Sequence, residues 1–214
     1  MFFYSHSVTR GFEKNTSDVS DVKSFKKLLR WDAISADRDW FTCDGMSIFL
    51  FAIIYNNTDI VKELLDGSII HCDKNVRSQR LRSSVSKEGL PEFGILGDSC
   101  AIHAAMAYAS SEIVSLLLEY GADPMAVDQV GNCALSFACF TGRADNVELW
   151  CARFPDWNLE KKNRIVRGYA LGSALYISST NQYNTVKTLL ENGACVTAMD
   201  LHLFILQYTL DTET

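Results

Sequence analysis

The amino-acid sequence predicts an all-α solenoid of stacked helix-turn-helix units joined by β-turn fingers. One observation behind this is an internal repeat. A pattern running from Asp98 to Gly131 recurs when the frame moves by about 33 residues, so that Cys133 falls on Cys100, Leu135 on Ile102 and Ala138 on Ala105. A second is amphipathic spacing: Ile113, Val114, Leu117 and Leu118 stand at i, i+1, i+4 and i+5, a stripe on one helix face that needs a partner surface. The third is punctuation. Gly121 and Gly193 follow leucine-rich segments by two or three residues, where a left-handed residue closes a helix without a Cβ penalty.

Taken in order, residues 1–18 show no usable periodicity and read as a flexible arm. The repeat domain is expected over 19–200, beginning with an incomplete capping unit at 19–42. There Asp21 and Val22 open a helix with Phe25, Leu28 and Leu29 on one side and Lys23, Lys26 and Lys27 on the other. The first full unit, near 43–67, has an apolar inner helix, Ile48 to Tyr55. Asn56-Asn57 makes its turn, since Asn tolerates left-handed backbone, and Thr58 is the expected cap of the outer helix.

Residues 68–95 are an insertion, basic and serine-rich up to Gly89. Two readings stand for it. One is a basic finger for an acidic partner, or a phosphorylation switch at Ser83 or Ser84 beside Arg80 and Arg82. The other is a short amphipathic helix through Val76, Leu81 and Val85 with its cations solvated. Further units follow near 96–128, 129–165 and 166–200. Pro155 is placed to end an outer helix, with Trp157 and Leu159 folding back on it. The fourth unit matches poorly at Gly172-Ser173 but well from Thr185 to Ala194. Residues 201–214 form an apolar tail or cap, closing the stack or marking the chain as a fragment of a longer array.

Composition bounds the function. Of the 214 residues 48% are hydrophobic and 21% charged, a balance that folds. No run approaches the about 18–20 apolar residues that cross a bilayer. Met1 to His6 lacks a basic segment followed by a long apolar core, so no secretory signal is expected and a cytoplasmic or nuclear location is the default. The seven cysteines are odd in number and hold no CxxC pair, which argues against a disulfide framework and a structural zinc site, and no metal or cofactor is expected. The net charge is −6, yet Lys74, Arg77, Arg80, Arg82 and Lys87 lie in one stretch without an acid. The remaining chain is therefore strongly acidic, which disfavours nucleic acid as the main partner; a membrane partner is equally unexpected.

No catalytic constellation assembles. His6, His71, His103 and His202 are scattered, and neither a GxxxxGK[ST] nor a GxGxxG segment is present, so no enzyme is expected. Cys100-Ala101-Ile102-His103-Ala104-Ala105, then Glu112-Ile113-Val114, Leu116-Leu117-Leu118 and Gly121-Ala122-Asp123, resemble in order and spacing one ankyrin repeat, with the first six residues in its TPLHLA slot. The resemblance covers residues 43–200 as about four degenerate repeats. It implies a hydrogen-bonding role for His103 in the turns, and a non-enzymatic protein-protein interaction module or adaptor working through its fingers and the concave inner-helix face. Carried onto this sequence, the protein-binding residues are Ser99, Gln129, Val130 and Asn132 in the fingers and Tyr55, Tyr108, Phe140 and Thr141 on the inner helices. Tyr55, Tyr108 and Phe140 would make an aromatic stripe on a chain monomeric by itself. The alternative is a regulatory fragment of a larger enzyme or channel assembly, with Arg77, Arg80 and Arg82 touching anionic lipid or RNA.

Overall fold

A hairpin of two short helices cannot bury its apolar side alone, and the chain resolves this by stacking such hairpins. The computed structural model describes residues 48–66, 99–161, 169–176 and 181–196. The arm at 1–18, the incomplete unit at 19–42, the insertion at 68–95 with Arg77, Arg80 and Arg82, and the tail at 201–214 lie outside the described residues.

Four helix pairs are seen among the described residues: α1 (Ile48–Ile54) with α2 (Thr58–Leu65), α3 (Ala101–Tyr108) with α4 (Ser111–Glu119), α5 (Ala134–Thr141) with α6 (Ala144–Arg153), and α7 (Ala170–Tyr176) with α8 (Gln182–Glu191). The first helices of the pairs pack in one row, α1 on α3 on α5 on α7. The second helices pack in a parallel row, α2 on α4 on α6 on α8. Among the described residues there is no β-strand, only an isolated antiparallel bridge between Val127 and Cys133.

Local chemistry sets the helix ends. Asn56 adopts φ 58°, the left-handed turn that its side chain tolerates. The cap of α2, however, is Asn57 and not Thr58: the Asn57 Oδ1 accepts from the Ile60 N–H at 3.2 Å, and Thr58 is already helical. Either side chain can cap, and the shorter turn selects the earlier one. At the end of α4, Gly121 takes φ 81° while its N–H donates to the Leu118 carbonyl and Ala122 N–H reaches Leu117. Gly193 repeats the arrangement after α8, with Gly193 N–H on Leu190 and Ala194 N–H on Leu189. Helix α6 stops at Arg153, before Phe154-Pro155. Trp157 then folds back on Trp150 and Phe154, with ring centroids 5.1 and 5.7 Å away, and Leu159 packs beside them.

The inner row is apolar on every side. All eight residues of α3 and all eight of α5 are buried, Ala105 and Ala138 fully so where the helices cross. The outer helices instead bury one stripe, such as Ile113, Val114 and Leu117 in α4. Cys100 and Cys133 begin inner helices and, with Cys139 and Cys151, are buried as small packing residues, whereas Cys195 is exposed. Burial, with Cys133 and Cys151 nearby, holds the Cys139 thiol well above its usual range.

Polar bonds between units reinforce this packing at the helix-helix turns. The Ser110 N–H donates to Asn56 Oδ1 at 2.6 Å, tying the second unit to the first. From the third unit, Arg143 Nη2 donates to the Ala109 carbonyl at 2.7 Å, and Asn146 Nδ2 reaches Ala109 at 3.0 Å and Met106 at 3.1 Å. Asn146 is fully buried in the register position that Ile113 fills in α4, so a polar residue stands there because the carbonyl end of α3 needs donors.

Leu117 has no exposed surface and lies between two hairpins. Leu117→Ala is expected to lower unfolding free energy by about 2–5 kcal/mol, measured from the urea midpoint at constant m. An unchanged midpoint would contradict the register.

Candidate protein-binding surface

Between α4 and α5 the chain leaves the helical layer in a finger, and its geometry follows from a few residues. Asp123 Oδ1 accepts from the Met125 N–H at 2.9 Å, starting the excursion after Gly121. Val127 bridges Cys133, closing a small hairpin whose tip is Asp128-Gln129-Val130-Gly131. The Gly131 N–H donates to the Asp128 carbonyl at 3.0 Å with φ 84°, and Asp128 N–H donates to the Asn132 carbonyl at 3.1 Å.

Asp128 holds the tip from inside. Its Oδ1 accepts from the Val130 N–H at 3.0 Å and the Asn132 N–H at 2.8 Å, and its Oδ2 accepts from Asn132 Nδ2 at 2.8 Å. A carboxylate only 4% exposed is thus satisfied by three donors of its own loop. The base of the finger is fixed by His103. The Cys100 N–H donates to Nδ1 at 3.0 Å, which assigns the proton to Nε2, and Nε2 donates to the Ala126 carbonyl at 3.1 Å. The ring also lies 5.0 Å from that of Phe137. His103 therefore connects the start of α3 to the next finger and is fully buried, a hydrogen-bonding role in the turns as the sequence implied.

The residues picked from the sequence divide into two groups. Tyr55, in the turn after α1, is 46% exposed, Gln129 is exposed and Val130 half-buried at the fingertip. Ser99, Tyr108, Asn132, Phe140 and Thr141 are each no more than 2% exposed. The aromatic stripe expected from Tyr55, Tyr108 and Phe140 is therefore corrected: only Tyr55 faces solvent. Burial pushes the Tyr108 phenol far up from its ordinary value. Thr141 Oγ1 is turned inward, donating to the Phe137 carbonyl at 2.8 Å, and Asn132 is committed to Asp128. The physical reason is that α3 and α5 carry almost no polar side chains on any face, and a helix apolar all round is buried.

Other exposed apolar groups were missed. Met125 is 59% exposed on the limb of the finger, and Tyr120 is 37% exposed, its hydroxyl donating to the Asp66 carboxylate of the preceding unit. Met125 was detectable as an apolar residue two positions after Asp123, where the chain leaves the layer. Among the described residues no group of three or more His, Cys, Asp or Glu side chains is placed to hold a metal, and no helix is long and apolar enough to cross a membrane.

Stacked helical hairpins, a projecting β-turn finger and a histidine joining one to the other define a protein class, and comparison with known proteins agrees. The family model for ankyrin repeats, in three copies, matches residues 102–200. Interferon antagonist OPG039 of Monkeypox virus is 28% identical over 145 residues, 68% of this chain, and the match spans 40% of that protein's length. The chain belongs to the ankyrin-repeat family. Ankyrin arrays generally serve as non-enzymatic interaction modules, so the general function is protein-protein interaction.

Asp128→Ala removes the acceptor of three donors and leaves the buried Asn132 amide unmet. It is expected to destabilise the fold by about 1–3 kcal/mol and to speed amide exchange at Val130 and Asn132 by more than at α4. Equal protection of the tip in variant and wild type would show that Asp128 does not hold the finger.

Proposed function

We propose that the chain is a non-enzymatic adaptor that captures another protein through the finger between α4 and α5. Gln129 and Val130 make the tip contact, Met125 supplies an apolar anchor on the limb, and Tyr55 is a second contact at the turn end of the inner row. The observation that carries this reading is the combination of exposure and rigidity in the finger. Gln129 and Met125 face solvent on a loop whose backbone is already held by Asp128 and His103. A loop ordered before the partner arrives loses less entropy on binding. Met is a side chain well suited to an adaptable contact. The inner helices contribute little directly, because α3 and α5 are buried along their whole length.

The relative is named an interferon antagonist, which makes the interferon response the first setting in which to seek the partner. A photo-crosslinking residue at Gln129 is expected to give a discrete protein adduct in interferon-responsive cells, and the same residue at the exposed Ala152 of α6 none. Met125→Asp with Val130→Asp is expected to weaken capture of that protein by about tenfold or more with helical circular dichroism unchanged. Undiminished capture by the folded double variant would refute the finger as the binding site.

A further inference from the structure

The four outer helices place equivalent side chains at equivalent heights, so each reports what its neighbour covers. Val61, Val114, Val147 and Val186 share one register position; Leu65, Leu118, Cys151 and Leu190 share another. In α2, α4 and α6, each followed by another outer helix, the valine has no exposed surface. In α8 Val186 is only half-buried and Leu190 is 43% exposed. The position one turn earlier, filled by the small residues Thr58, Ser111 and Ala144 in the preceding units, holds Tyr183, which is 75% exposed. Tyr183, Val186 and Leu190 stand at i, i+3 and i+7, one apolar stripe that continues the inter-unit interface outward. Lys187 and Glu191 pair at 3.8 Å beside it, leaving the face without net charge.

We propose that this stripe is the docking face for a second copy of the chain, α8 against α8 across a two-fold axis. The spacing is self-complementary, as an isologous contact requires. With the helices antiparallel and the axis between Val186 and Lys187, Tyr183 of one copy lies over Leu190 of the other, and the reverse. Val186 of each copy sits at the centre, and Gln182 of one meets Glu191 of the other as an amide donor to a carboxylate. A neutral apolar face with an aromatic at one end and a leucine at the other suits its own image better than a charged partner. One helix stripe per copy is a smaller surface than the about 1,200 Å² of a stable complex, so the dimer is weak and concentration-dependent. The finger lies at the end of the preceding units and stays clear of the contact.

Sedimentation velocity on the full chain, at graded concentrations up to the millimolar range, tests this. The wild-type mass is expected to rise from monomer toward dimer. Leu190→Lys and Tyr183→Ser, both at exposed side chains, are each expected to move that rise to about tenfold higher concentration or beyond. Their helical circular dichroism and melting should match the wild type. A wild type monomeric throughout, variants that associate as it does, or a stripe filled by a different protein while the chain stays monomeric would each overturn the proposal.

Discussion

Each hairpin in this chain has two apolar sides and can cover neither by itself. Val61, Val114 and Val147 lose all exposure only because the next outer helix lies on them, and the inner helices are buried through their neighbours in the row. Stability is therefore a property of the contacts between units. The polar bonds obey the same logic. Asn56, Arg143 and Asn146 each serve a backbone group in a different unit, so the turn edge of the array is stitched where carbonyls and N–H groups would otherwise be left without partners.

That stacking determines what is left for recognition. Because α3 and α5 are apolar around their whole circumference, they belong to the core and cannot double as a contact surface. Recognition passes to the segments between helices, where the backbone leaves the layer and polar groups are available. The finger satisfies its own hydrogen bonds through Asp128 and is anchored below through His103, which leaves Gln129 and Met125 directed to solvent at little conformational cost. The same histidine that a catalytic reading would examine first is thus a structural strut, and Cys139 is packing.

The frame of the array was legible in the sequence because its signals are local: helical spacing at Ile113 to Leu118, left-handed positions at Gly121 and Gly193, and Pro155 behind Arg153. The left-handed turn at Asn56 was legible for the same reason. The choice of Asn57 over Thr58 as cap was not, since both residues have the chemistry and only the turn geometry decides. Exposure at the site was misread for Tyr108, Phe140 and Thr141. Position in the repeat suggested a solvent-facing row, while the composition of α3 and α5, without a polar face, pointed to burial and was given too little weight. The role of Asn146 is long-range and leaves no local signal.

Coupling between units is the central claim, and native-state hydrogen exchange on wild type and Val147→Ala tests it most directly. Val147 lies on α6 with contacts that reach both neighbouring outer helices through the row. Truncating it is expected to lower amide protection in α4, α6 and α8 together, because stability resides in the shared interfaces. A loss confined to α6 would mean that the hairpins are stable one by one, and would contradict the account.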